Sequence, residues 1–215
     1  MATTQVGIYN LALSFLGERS ASTITDATEP VRVIHGLWDH ASKFCLEQGH
    51  WKFAERESVL TPSLTEVPTT GLANAFAKPS DYVRLNALCS DEFFRVPIIH
   101  VHERGLFWYC DLDTVYLRYV SNDTAYGMDI TLWPETFVLY TALYLAILAV
   151  PRIAPERKGE VITAPGNVGI IEAKRNALAK DAVAGPIQFV QQGNWASSRS
   201  RNGNGRNSRS SLYGS

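Results

Sequence analysis

Apolar residues recur every three to four positions near the start of the chain. Val6, Tyr9, Leu13 and Leu16 mark one face of a helix that Thr3 or Thr4 can cap and Gly17 can stop. After a polar loop over residues 18–27, Thr28 and Pro30 announce a second helix with Val31, Ile34, Trp38, Ala41 and Cys45 on one face, ending at Gly49. The period then drops to two. Residues 51–60 begin the switch, 61–77 form a Pro/Thr/Gly/Ala loop, and 82–89, 93–101, 105–110 and 114–120 alternate as successive strands. The short acidic links at 90–92 and 111–113 suit hairpin turns. Helical spacing returns after Thr131 with Pro134, Phe137, Tyr140, Tyr144, Ile147 and Leu148, a stretch apolar nearly all round that Pro151 is expected to end. A last amphipathic helix is predicted over 168–184, closed by Gly185 and Pro186.

This order predicts an α+β fold: a bundle of about four helices, two N-terminal and two C-terminal, with an antiparallel β-meander inserted between the halves. The bundle is discontinuous, 1–50 with 130–185; the β domain spans 51–129, and 186–215 is an extended C-terminal arm. From Gln191 onward the arm is almost wholly Gln, Gly, Asn, Ser and Arg, too polar to offset the entropy of ordering, so it is expected to be flexible in the free subunit.

Composition supports one compact body: 215 residues, 46% hydrophobic and 11% aromatic, allow one sizeable core with a satellite. The net charge of −1 hides an asymmetry. Four of the 20 basic residues and none of the 21 acidic ones lie beyond Asp181, which leaves the body at −5. An acidic body argues against a nucleic-acid-binding domain, and only the arm could play that role. Cys45, Cys89 and Cys110 form no paired spacing, so a reducing compartment fits. The N-terminus carries no signal-peptide pattern, and the apolar run 137–150 is shorter than the roughly 20 residues of a bilayer span, so it reads as a core helix and no membrane is implied.

No nucleotide, hydrolase-elbow or zincin motif is present in the sequence. His100 and His102 are two residues apart, as on one face of a strand, but spacing marks no third ligand; no metal or cofactor is expected. Asp111 and Asp113 offer a carboxylate pair for wall hydrolysis, yet acids are common in turns. Cys45 has His40 and His50 nearby, but lies on the apolar face and reads as a core thiol.

Three segments carry a resemblance. They are Glu47-Gln48-Gly49-His50-Trp51-Lys52-Phe53-Ala54, Ala77-Lys78-Pro79-Ser80-Asp81-Tyr82-Val83-Arg84-Leu85, and Leu132-Trp133-Pro134-Glu135-Thr136-Phe137. Together they resemble the tail tubular protein A family, the head-to-tail adaptors of bacteriophages, with Trp51, Phe53, Pro79, Asp81, Tyr82 and Pro134 on the matching positions. The resemblance implies a non-enzymatic virion protein that assembles in the host cytoplasm. It forms a ring of about a dozen copies beneath the portal protein, meets a downstream tail protein (nozzle or tail tube), and lets DNA pass without sequence-specific binding. Independently of the resemblance, the composition of the arm offers Trp195 and Tyr213 as anchors and Arg199, Arg201, Arg206 and Arg209 as cations, and docking on the portal is expected of them. Alternative readings are a tail-associated peptidoglycan hydrolase and a nucleic-acid-binding accessory protein acting through the Arg-rich arm.

Overall fold

Thr4 caps α1 (Gln5–Leu16) by accepting the Gly7 amide at 3.2 Å, and Gly17 closes the helix in the left-handed conformation at φ 76°. The computed structural model of the protein describes residues 4–68, 71–157 and 169–184. α2 (Glu29–Glu47) starts after Thr28 with Pro30 in its first turn and buries Val31, Ile34, Trp38, Ala41 and Cys45, the face expected of it. α3 (Glu135–Ile153) follows Pro134 and buries residues all round, Phe137, Tyr140, Leu143 and Ala146 among them. α1, α2 and α4 (Ile170–Val183) each pack on it. α3 is the one described helix long and apolar enough to cross a membrane, and 56% of that stretch is buried here. Pro151 does not end α3, which runs on to Ile153. In the last turn the missing N–H removes a single bond, a small loss compared with Pro in a helix centre.

Between α2 and α3 lie six strands: β1 (Glu55–Leu60), β2 (Asn74–Ala77), β3 (Tyr82–Cys89), β4 (His102–Arg104), β5 (Phe107–Cys110) and β6 (Val115–Ser121). The architecture is α+β, with four helices and two small antiparallel sheets, ordered β1-β6-β3 and β2-β5-β4. The strands are therefore not laid down side by side in chain order, as a simple meander requires. Residues 111–113 carry the chain from one sheet to the other instead of forming a hairpin turn. Residues 93–101 are not a strand either. The Asp91 carboxylate captures the amides of Arg95 and Val96, Phe94 sits at φ 55°, and Pro97 has no N–H, so only a single bridge, Cys89 to Pro97, remains. The loop expected over 61–77 contains β2 at its end.

Two hydrophobic clusters result. One fills the bundle and takes in Trp51, Ala54 and Val120 from the inserted segment; the other packs Phe76, Leu88, Trp108, Cys110, Val115, Leu117 and Tyr119 between the sheets. The inserted chain leaves and returns at one place because β1 pairs with β6 from Glu55 opposite Val120 to Leu60 opposite Val115. Just beyond β6 the turn at Gly127 is so close that an added Cβ would collide with the Ser121 carbonyl oxygen and lie 3.2 Å from both Ala54 and Leu46. Gly127→Ala is expected to destabilise the protein by about 2 kcal/mol, lowering the thermal midpoint by about 6 °C, as read by calorimetry.

Candidate functional site

The six residues on the family-like positions fall into two adjoining groups. Trp51 is buried, its indole N–H donates to the Cys45 carbonyl at 3.0 Å, and its ring meets Phe137 edge-on at 4.8 Å. Phe53 lies 4.8 Å from the same Phe137 ring. Pro134 accepts the Phe137 and Val138 amides through its carbonyl, at 2.8 and 3.0 Å, and so starts α3. Its neighbour Trp133 stacks on Trp38 and donates to the Gly127 carbonyl at 2.8 Å. An aromatic cluster thus joins α2, the entry to β1 and the start of α3. The indole N–H groups of Trp51 and Trp133 both donate to backbone carbonyls, so neither is buried unpaired.

The second group surrounds Asp81. Pro79 and Tyr82 form the turn into β3, with the Tyr82 amide donating to the Pro79 carbonyl at 3.1 Å. Tyr82 packs edge-on against Trp108 at 5.2 Å. The Asp81 carboxylate accepts from Arg56 on β1 at 2.9 Å, and from Tyr119 at 3.1 Å and Ser121 at 2.5 Å on β6. One side chain in the turn just before β3 therefore holds both other strands of that sheet. Burial opposes its charge, but the bonds from Ser121, Arg56 and Tyr119 outweigh that and keep the carboxyl below its ordinary value. Arg56 also lies over the Tyr126 ring at 5.0 Å and 3.8 Å from Asp123. With its oxygens occupied by three protein donors in four hydrogen bonds, this carboxylate is placed for positioning.

A third polar contact seals the joint from the C-terminal side. Asp181 on α4 accepts the Lys52 amide at 2.9 Å, and Lys52 reaches the Ala182 carbonyl at 3.1 Å. Burial pushes the Asp181 carboxyl above its ordinary value, against the pull of Lys52.

The residues weighed for catalysis are dispersed. His102 lies in β4 and His100 outside it, both exposed, and among the described residues no three potential ligands gather to hold a metal. Asp111 accepts the Ala73 amide at 2.8 Å and Asp113 the Asn74 side chain at 3.3 Å, so both tie β2 to the crossing between sheets. Cys45 is fully buried, and burial pushes its thiol up to about 12. His40 is exposed and His50 is bonded to Asn86 at 2.6 Å. The arm residues Trp195, Arg199, Arg201, Arg206, Arg209 and Tyr213 lie outside the described residues.

The surface features that period and motif did not mark are in the β domain. Phe93, Ile99 and Leu106 are exposed, and Phe94 stacks on the Arg118 guanidinium at 4.1 Å. A cavity of about 320 Å³ lies beneath that loop, lined among others by Pro97, Ile98, Ile99 and Leu112. In the sequence Phe93, Val96 and Ile99 recur every third residue within the stretch expected to be a strand.

No protein-family model matches the chain, and no curated protein matches it.

Asp81→Asn is expected to destabilise the protein by about 2 kcal/mol at neutral pH, because Arg56 loses its charged partner. A carboxyl held low in the folded state stabilises above its unfolded value, about pH 4, and ceases to as pH falls through the folded value. The gap between wild type and variant in urea unfolding should therefore narrow below about pH 4.

Proposed function

We propose that the chain is a head-to-tail adaptor of a bacteriophage, a non-enzymatic subunit that forms a ring on the portal protein and connects it to the tail. The observation that carries this reading is the convergence of the family-like positions on one joint. Trp51, Phe53 and Pro134 lie in the aromatic cluster, and Pro79, Asp81 and Tyr82 in the carboxylate node beside it. Short degenerate segments scattered over a chain need have no spatial relation. Here they all serve the connection between a helical bundle and its inserted β domain, the architecture that the resemblance implies.

Such a joint suits a subunit that transmits position between two partners. The portal meets one part of each subunit and the downstream tail protein another, so the angle between bundle and β domain has to be kept. Close-packed aromatic rings and a saturated buried carboxylate resist bending. A body at −5 lends itself to a channel wall along which DNA slides, because binding phosphates requires lysine and arginine. The arm, with Trp195 and Tyr213 as anchors and Arg199, Arg201, Arg206 and Arg209 as cations, docks on the portal, and weak single contacts become durable when repeated round a ring.

Purified protein mixed with portal rings is expected to co-migrate with them in sedimentation and to appear as an added ring by electron microscopy. Truncation after Val190 should weaken the complex. If neither the full chain nor the truncated one ever co-migrates, the adaptor reading fails.

A further inference from the structure

The hairpin of β4 and β5 ends in a two-residue turn, Gly105-Leu106, because Arg104 is paired with Phe107. Gly105 sits at φ 56° and Leu106 does not share the left-handed conformation, the pattern of a type II′ turn. Turn positions of this kind favour small or polar residues, yet Leu106 is 73% exposed at the tip. Lys78 fixes the turn: its amide donates to the Leu106 carbonyl at 2.8 Å and its Nζ to the Gly105 carbonyl at 2.9 Å. With both carbonyls bonded and no side chain on Gly105, the tip is a narrow, pre-organised apolar knob.

The same molecule carries an apolar recess of matching size. The cavity of about 320 Å³ is lined by Pro97, Ile98, Ile99 and Leu112, with Asp111 and His100 among its polar members, and Ile99 is exposed. A cavity of about 150 Å³ takes a benzene-sized group, so this one admits a leucine together with turn backbone. An open recess walled by aliphatic side chains is a place for a partner. Charge indicates which one. Asp111 and Asp113 bond only neutral groups, the Ala73 amide and the Asn74 side chain, and enter no ion pair among the described residues. Arg104, beside the tip, lies 6.0 Å from the Tyr109 ring and likewise has no carboxylate partner there. An uncompensated acid at the recess and an uncompensated base at the knob attract each other. They cannot meet within one chain, because β5 (Phe107–Cys110) separates Leu106 from Cys110 on the cavity wall by about 13 Å of strand.

We propose that the turn between β4 and β5 of one copy seats in the cavity of the next, with Leu106 against Ile98, Ile99 and Leu112 and Arg104 beside Asp111. The occupant of the cavity is thus a second copy of this chain. The contact joins two different patches, so it is heterologous and repeats from copy to copy until a ring closes. The inference rests on the ring-forming reading for its biological setting, and on the turn, the cavity and their charges for its geometry.

Leu106→Asp puts a charge on the knob and Ile99→Asp one at the recess, both at exposed positions. The full-length chain, each variant and an equal mixture of the two variants are followed by sedimentation velocity and glutaraldehyde fixation, with and without portal rings. The unmodified chain is expected to give a ladder of fixed oligomers, and each variant alone to need about tenfold more protein for the same ladder, the effect of keeping one leucine from burial. The mixture should recover dimers at the unmodified chain's concentration and nothing larger, because it holds one sound knob and one sound recess. That recovery also reports that both variants are folded; where it is missing, Leu106→Ser and Ile99→Ser repeat the mixture. An unmodified chain without fixed oligomers in either condition overturns the proposal, as does a variant that associates like it, or failure of both mixtures to recover dimers. An Ile99→Asp chain that self-associates normally but leaves the portal gives the cavity to the portal and overturns it too. Co-migration with the portal in the same samples separates the two ideas. Co-migration with a ladder indifferent to both variants removes the knob contact alone, and a ladder with recovery but no co-migration leaves that contact standing while the adaptor reading falls.

Discussion

A domain inserted into a helical bundle must leave and re-enter its host at neighbouring points, and the rest of this structure depends on how that is met. Antiparallel pairing of β1 with β6 brings the two crossings together, so that Glu55 faces Val120 where the chain leaves and rejoins the bundle. Trp51 precedes the first crossing and Trp133 follows the second, and both rings converge on Phe137 at 4.8 Å. Each buried ring of this size contributes several kcal/mol, so the closure is a hydrophobic event before it is a polar one. Gly127 is required because the return path passes within contact of the Ser121 carbonyl. A looser closure would leave α2 and α3 free to separate at that end.

Polar groups then fix the angle that the aromatic cluster only approximates. Hydrophobic contact is non-directional, whereas Asp81 bonds named atoms on β1 and β6, and Asp181 bonds the amide at the entry to β1. The two carboxyls are displaced in opposite senses. Asp81 meets donors enough to overcome burial and is held low; Asp181 meets a single amide, and burial pushes it up. Asp81 thus strengthens the sheet while it is charged, whereas Asp181 holds α4 to the joint at some cost in desolvation.

Much of this was legible in the sequence, for reasons that can be assigned. The helices could be read because caps, prolines and apolar faces agree: Thr4, Pro30, Pro134 and the buried side of α2 all act locally. β3 could be read with both of its ends because eight residues alternate between a turn at Pro79 and a turn at Ser90. Residues 93–101 failed because period-two patterning says nothing about where the amides go, and Asp91 takes two of them. The order β1-β6-β3 failed because strand neighbours depend on long-range pairing that local pattern does not encode. At the joint, the aromatic residues were visible individually, but the node round Asp81 draws on Arg56, Tyr119 and Ser121, up to 40 positions away, with no spacing to link them.

Charge on the strands gains its meaning from that order. Read along the chain, Glu55-Arg56-Glu57 and His102-Glu103-Arg104 are two short mixed runs of the kind found on any solvated strand. In the folded sheets each run splits by face. Arg56 turns inward to Asp81 and Glu103 is bonded by Lys78, so the middle charge of each run is spent within the β domain.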